Sequence, residues 1–120
     1  MTTLIACLST GKGTWGHVGT LVNSGQFETM ILVTNQWSKD NYQNEKEADL
    51  VLIDAAKPIA DNVAILQAEL KGKLEGETEV AFNMISGSGA EHMAILSALL
   101  KLGVGVRLIA ANEEGDTKEI

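Results

Sequence analysis

The sequence predicts an α/β protein, a Rossmann-like three-layer sandwich with about five mainly parallel strands in the order 3-2-1-4-5. Short apolar runs, several of them β-branched, alternate with segments of helical spacing along the whole chain. Glycine-containing loops follow two of the apolar runs. A chain of 120 residues with 45% apolar residues and one proline is typical of a single globular domain. Regular alternation of strand and helix implies right-handed crossovers.

A glycine-containing loop follows the first strand. Residues 4–8 are uniformly apolar, which is typical of a buried central strand. Gly11, Gly13 and Gly16 follow with the G-x-G-x-x-G spacing that, between a strand and a helix, holds a pyrophosphate. The helix expected next, over residues 17–23, is short and contains further glycine, so the match to this fingerprint is weak.

A second strand over residues 29–34 is followed by a polar stretch, residues 36–47. This stretch contains Trp37 and Tyr42 but has no periodic apolar face, so we expect a long loop with one helical turn. Two interpretations of its aromatic rings remain open. The rings form a lid over a ligand, or they pack on the shoulder of the domain.

A third strand and an amphipathic helix occupy the middle of the chain. Residues 49–54 form the strand, and Pro58 marks the start of the helix because proline fits the first helical turn. Apolar residues recur at helical spacing as far as Leu74, with polar residues between them, so this helix covers one side of the sheet. Residues 79–85 then form the fourth strand.

The second glycine-containing loop follows the fourth strand and is the principal candidate site. Ser86, Gly87, Ser88 and Gly89 separate that strand from an almost uniformly apolar helix over residues 90–102. The first N–H groups of such a helix lack intrahelical partners, and the helix dipole favours an anion there. The two serines cap the helix, contact a ligand, or do both.

The last strand is expected over residues 106–110, so that one Rossmann-like domain spans residues 1–112. Residues 113–120 are polar and acidic and predict a frayed tail. The helix over residues 90–102 is apolar on almost every face, which most simply indicates core but also predicts a homodimer that buries it.

Composition excludes several classes of function. A net charge of −7 argues against binding duplex DNA or RNA, which requires a basic surface. No apolar stretch is long enough to span a membrane and no basic leader precedes the first strand, so we expect a cytoplasmic protein without membrane contact. The single cysteine, Cys7, lies in an apolar run and is expected in the core. No metal-ligand spacing is present, and no cofactor or metal is predicted.

In the predicted strand order the first and fourth strands are neighbours, and ligands bind between their carboxyl ends. Both glycine-containing loops, and both histidines, His17 and His92, would then converge. Lys12 and His92 are the candidate catalytic residues, as a cation beside a phosphate and a general acid or base. Each also has a simpler interpretation, a solvated lysine and a packed histidine. The candidate ligand-binding residues are Ser9, Thr10, Gly11, Gly13, Trp15, Asn35, Ser86, Gly87, Ser88 and Gly89.

This order of features resembles the CRISPR-associated Rossmann fold family, the CARF domains, which sense cyclic oligoadenylates in type III CRISPR antiviral defence. The most specific part of this resemblance covers residues 83–93, which are similar to the family's strand, Thr/Ser-Gly-Gly-Thr/Asn-Lys loop and Met-containing helix. Ser88 stands in place of the second glycine, and Ala90, Glu91 and His92 stand where a basic residue is usual. The resemblance implies ligand contacts from residues 9–11 and 86–88, in a pocket shared across the two-fold axis of a dimer.

The resemblance therefore implies a nucleotide-binding domain that senses a cyclic oligoadenylate. Such a domain could also cleave its ligand slowly as a metal-independent ring nuclease, in which a ribose 2′-hydroxyl attacks its own phosphate in line. Two other classes of function remain open. One is a Rossmann-like domain that binds a mononucleotide or phosphorylated metabolite through residues 11–16. The other is a structural or adaptor subunit whose glycines serve only turns and packing.

Overall fold

The structure is a computed structural model that describes residues 3–120. Its strands are β1 (Thr3–Leu8), β2 (Thr29–Thr34), β3 (Asp49–Leu52), β4 (Glu79–Asn83), β5 (Gly105–Ala111) and β6 (Thr117–Glu119). Its α-helices are α1 (Trp15–Asn23), α2 (Gln36–Asn41), α3 (Ile59–Lys73) and α4 (Gly89–Leu102), and Lys12–Thr14 forms a short 3-10 helix.

The strands form one sheet in the order β3-β2-β1-β4-β5-β6. All neighbouring strands in the sheet are parallel except β5 and β6, which are antiparallel. The predicted α/β fold and the predicted order of the first five strands are therefore confirmed. Because β1 and β4 are adjacent and parallel, with Ala6 opposite Asn83, the loops that follow them leave the same edge of the sheet.

Strand β1 lies at the centre of the molecule, and every one of its six residues is buried. Leu4, Ala6 and Leu8 face the α1 side of the sheet, whereas Ile5 and Cys7 face the α3 and α4 side. Burial on both faces explains why this strand is a continuous apolar run rather than an alternating one.

The helices cover both faces of the sheet. Helix α1 packs on one face through residues that include Val18 and Leu21, which are fully buried. Helices α3 and α4 pack together on the other face, through residues that include Leu66, Ile95 and Leu99. Burial of each such side chain contributes about 1.5–3 kcal/mol to the free energy of unfolding. No helix within residues 3–120 is long and apolar enough to cross a membrane.

The segment expected to be a frayed tail contains a strand. Thr117–Glu119 pairs with β5, and the chain reverses at a turn in which Asn112 Oδ1 accepts two backbone N–H groups at 2.8 and 3.0 Å. Gly115 in this turn has φ of +86°, a conformation that glycine adopts without strain. Arg107 Nη1 also lies 3.0 Å from the carboxylate of Glu119. The structure thus places a turn and a strand pairing where the sequence predicted a frayed tail.

Element boundaries differ modestly from those predicted. The polar stretch after β2 contains a full helix, α2, whose start is capped by Asn35 because its Oδ1 accepts Ser38 N at 2.8 Å. Helix α1 begins at Trp15, two residues before the predicted start. Pro58 precedes the first helical residue of α3 and occupies its N-cap position.

Candidate functional site

The loops after β1 and β4 meet over the carboxyl ends of these strands. Ser9 N donates a hydrogen bond to Ser86 Oγ at 3.0 Å, and both residues are buried. We call the surface formed by residues 9–13 and 86–90 the rim. The convergence of the two glycine-containing loops, predicted from strand order alone, is therefore present.

Between the two loops lies the carboxylate of Glu91, which the sequence analysis did not propose as a site residue. This side chain is only 4% exposed, and both of its oxygens lie 2.8 Å from Ser9 Oγ, whose hydroxyl donates to them. Its Oε1 also accepts Ser88 N at 2.9 Å, while Ser88 Oγ accepts Glu91 N at 3.2 Å. These reciprocal bonds form a capping box, and the S-x-x-E spacing of Ser88 and Glu91 is the sequence signal that identifies it.

The buried carboxylate determines where an anion can bind. A phosphate placed between the loops would face the negative charge of Glu91 at short range, where repulsion is strong. The outer surface of the rim differs from the space between the loops, because residues 87–90 are exposed to solvent. The capping box and Ser88 O engage the N–H groups of Ser88, Glu91 and His92. The first-turn donors that remain open at the rim belong to Gly89 and Ala90. The expectation that the crevice itself accepts negative charge is therefore corrected, because the carboxylate disfavours an anion there relative to the outer surface of the rim.

Gly87 allows the second loop to approach the sheet. Its φ is +105°, and a Cβ at this position would lie 2.6 Å from Cys7 Sγ, 3.2 Å from His92 Nε2 and 3.3 Å from Glu91 Oε1. No other residue type fits without displacing the core. Gly87, which the sequence predicted as a ligand contact, therefore has a packing role.

Cys7 lies directly beneath this loop. Its thiol is fully buried, and burial, followed by the neighbouring carboxylate of Glu91, raises its pKa to about 12. A thiol with that pKa stays protonated near neutral pH and is not a nucleophile. The expectation that Cys7 is a core residue is confirmed.

The two histidines are in different places. His92 Nε2 lies 2.7 Å from Ser86 O, and because a carbonyl oxygen only accepts, this nitrogen carries a proton and donates it. His17 Nε2 instead accepts Ala111 N at 3.1 Å and lies 3.2 Å from Asn83 Nδ2. Since α1 begins earlier than predicted, position 17 falls in its first turn and faces β4 and β5. The expectation that both histidines converge on the site is therefore wrong for His17.

Lys12 lies on the first loop beside two tryptophans. Its Nζ is 5.6 Å from the ring centroid of Trp15 and 5.8 Å from that of Trp37, and the two rings are 5.9 Å apart. Trp15 Nε1 donates to Ser9 O at 2.9 Å, which attaches the ring to the rim. Each cation–π contact contributes about 0.5–1 kcal/mol at an exposed site. Lys12 is thus an exposed cation with a preferred position.

The two aromatic rings of this stretch have different surroundings, and packing on the shoulder of the domain describes Tyr42. Tyr42 packs edge-on against Trp15, with centroids 5.9 Å apart, and joins the core on the α1 side. Trp37 is 45% exposed, so part of its ring is open to solvent next to Lys12.

Asn35 connects β2 to the first loop. Its Oδ1 caps α2, and its Nδ2 donates to Thr10 Oγ1 at 3.1 Å and lies 3.5 Å from Ser9 Oγ. Thr10 is exposed, and because its oxygen accepts from Asn35, its O–H remains available to donate to another acceptor.

Among residues 3–120, no group of three or more His, Cys, Asp and Glu side chains could hold a metal ion. The chemistry available at the rim is hydrogen bonding, a single cation and an aromatic surface. The predicted site residues that the structure brings to one edge of the sheet are Ser9, Thr10, Gly11, Lys12, Gly13, Trp15, Asn35, Ser86, Gly87, Ser88, Gly89 and His92.

Fold and site together define a Rossmann-like α/β domain with a polar rim between its first and fourth strands. No protein-family model matches the chain, and no curated protein matches it. The resemblance to CARF domains therefore stays a prediction.

Proposed function

We propose that this protein is a CARF-like nucleotide-binding domain that binds a cyclic oligoadenylate at the rim and serves type III CRISPR defence. The observation that carries the proposal is the grouping, at one edge of the sheet, of the three features that such a ligand needs. These are the exposed ammonium of Lys12, the partly exposed ring of Trp37 and the unpaired backbone N–H groups in the first turn of α4.

Each feature matches one part of the ligand. The open face of Trp37 suits stacking of a base, which is worth about 1–3 kcal/mol per base in single-stranded nucleic acid binding. Lys12 and the N–H groups of Gly89 and Ala90 suit a phosphate oxygen. The O–H of Thr10 suits a further ligand oxygen, since its lone pair already accepts from Asn35.

We propose binding rather than cleavage as the primary activity. Lys12 Nζ lies over aromatic rings, and His92 Nε2 already donates to Ser86 O at 2.7 Å. For His92 to act as a general acid or base on a scissile phosphate, its Nε2 would have to leave Ser86 O. Binding requires no such rearrangement.

The proposal includes a homodimer formed through α4. Two large apolar side chains of this helix, Met93 and Leu100, are 61% and 64% exposed. Met93 borders a groove between α3 and α4 whose other wall includes Ile59 and Val63. Met93 and Leu100 both line an adjoining concavity on the surface of α4. We propose that a second copy buries this apolar surface and that the two rims then lie on a common two-fold axis.

The proposed homodimer is tested by measuring the molecular mass of the protein in solution. Light scattering after size exclusion should give twice the chain mass for the wild type and a monomer for Met93→Glu combined with Leu100→Glu. A control pair, Glu69→Gln with Lys118→Gln, changes exposed residues elsewhere and should remain dimeric. A monomeric wild type at tens of micromolar would refute the shared pocket.

Ligand binding is tested by calorimetry and thermal unfolding with cyclic oligoadenylates of several ring sizes, linear oligoadenylates and AMP. At a ligand concentration one hundred times Kd, one cyclic species should stabilise the protein by about 2.7 kcal/mol, which raises Tm by roughly 10 °C. Lys12→Gln and Trp37→Ala should each remove most of this rise, whereas Lys118→Gln on β6 should not. Stabilisation by AMP alone would favour a mononucleotide-binding domain, and no stabilisation by any of these ligands would favour an adaptor.

A further inference from the structure

A second concave surface lies at the carboxyl ends of β2 and β3, next to the rim. It has a volume of about 370 Å³. We call it the β2–β3 cavity. Its apolar wall consists of Leu52, Ile53 and Ile65. Its size is at the lower end of the range for small-molecule sites, which suits one nucleoside rather than an entire oligonucleotide.

The polar wall of the cavity consists of Asn35, Gln36, Asp54 and Lys57. Gln36 Nε2 donates to Asp40 at 2.9 Å, which leaves the amide oxygen of Gln36 as an acceptor. Asp54 Oδ1 accepts Ala56 N at 2.9 Å, which leaves Oδ2 of that carboxylate as an acceptor. Lys57 supplies ammonium donors. The cavity thus offers two acceptors and one cationic donor beside an apolar wall.

The position of Asp54 is fixed by its backbone. Asn62, a buried residue of α3, accepts Asp54 N at 3.3 Å and donates to Asp54 O at 2.8 Å. Lys57 N also donates to Asp54 O, at 3.0 Å. The turn that carries both charged residues of the cavity is therefore held in place from two sides.

We propose that the β2–β3 cavity is a nucleobase subsite selective for a base with an exocyclic amine, such as adenine. A flat heterocycle would pack on the apolar wall, and its amine would donate to Asp54 Oδ2 and the Gln36 amide oxygen. A ring nitrogen would accept from Lys57. The carboxylate disfavours a phosphate at this position, so phosphate and base occupy separate places.

The subsite is continuous with the rim through one side chain. Asn35 lines the β2–β3 cavity and donates to Thr10 Oγ1 at 3.1 Å on the rim. A nucleotide whose phosphate lies near Lys12 could therefore extend past Asn35 into the cavity. This inference deepens the proposed function, because it supplies the base selectivity that stacking on Trp37 lacks.

The test begins with adenosine, which has no phosphate and so does not depend on Lys12. Titrated into the full chain labelled at its isoleucine and leucine methyls, adenosine should shift the resonances of Leu52, Ile53 and Ile65. Inosine, which has no exocyclic amine, should bind at least tenfold more weakly. Asp54→Asn keeps the turn-forming oxygen and should weaken adenosine binding about tenfold, through loss of a charge-assisted hydrogen bond. Asp116→Asn is the matched control and should bind like the wild type.

Failure of this inference is distinguishable from failure of the proposed function. Equal binding of adenosine and inosine, no methyl shifts at the cavity, or wild-type affinity in Asp54→Asn would overturn the subsite. If a cyclic oligoadenylate then still stabilised the protein through Lys12, the rim proposal would stand without the subsite. Conversely, adenosine shifts at the cavity with no response to any phosphorylated ligand would support the subsite and refute the rim proposal.

Discussion

The clearest test of the site is Glu91→Gln, which removes one buried negative charge and preserves the shape of the side chain. The carboxylate accepts from Ser9 Oγ and Ser88 N at 2.8 and 2.9 Å. Hydrogen bonds to charged groups contribute about 1.5–3 kcal/mol each, and glutamine retains one acceptor oxygen. We therefore expect the free energy of unfolding to fall by about 1–3 kcal/mol.

The same change should strengthen anion binding at the rim. For a phosphate charge about 8 Å from the carboxylate, an effective dielectric constant between about 20 and 80 gives a repulsion of about 0.5–2 kcal/mol. If the proposed cyclic adenylate binds at the rim, removal of this charge should tighten its binding by about 2- to 30-fold, with a smaller gain at high salt.

Denaturant unfolding and calorimetry measure the two effects. Glu69→Gln on the exposed surface of α3 makes the same change in net charge and should alter neither quantity. Unchanged stability in Glu91→Gln would mean that the carboxylate does not hold the two loops together. Lower stability with unchanged or weaker affinity would mean that the ligand's phosphate does not lie near the start of α4.

Three further predictions concern packing, ionisation and the carboxyl-terminal strand. Gly87→Ala should lower the free energy of unfolding by about 2–4 kcal/mol in denaturant melts, because residue 87 has a positive φ and its Cβ would collide with Cys7 Sγ. Gly19→Ala is the control: this glycine lies in open space on α1, and its replacement should raise the free energy of unfolding by about 0.5–1 kcal/mol. The pKa of Cys7 is raised from 9.0 to about 12 by burial and then by Glu91, so only the unfolded chain loses this proton between these pH values. Unfolding free energy should therefore fall by about 1.4 kcal/mol per pH unit in that window relative to Cys7→Ala, and parallel pH profiles would contradict this. Asn112→Ala removes the side-chain acceptor of the turn before β6. Hydrogen exchange at Ile120 N, which donates to Leu108 O of β5, should then accelerate about tenfold or more. Unchanged protection of Ile120 N would show that the turn does not hold β6.

Strand order and the meeting of the two loops could be predicted from sequence because both follow from patterns within short segments. Residues 4–8 are apolar throughout and so must be central. Once the fourth strand is placed beside the first, the loops ending in Ser9 and Ser86 have to share one edge of the sheet.

What could not be predicted depends on contacts between distant segments. Glu91 on an otherwise apolar helix would ordinarily be read as exposed, and its burial depends on Ser9, which lies 82 residues away. Strand β6 has three polar residues and no periodic pattern, and it exists because β5 offers an open edge. The β2–β3 cavity is formed by residues from the start of α2, from β3, from the following turn and from α3, and no single segment indicates it.

Ser9 is hydrogen-bonded to Ser86 in the loop after β4 and to Glu91 in α4, which lie 77 and 82 positions away in the chain. Such contacts form only after most of the sheet has assembled, because closing a large loop costs conformational entropy that local contacts do not offset. The rim is consequently absent from any partly folded chain that lacks either half. If the rim binds a nucleotide through both loops, as proposed, then binding reports on the integrity of the whole domain.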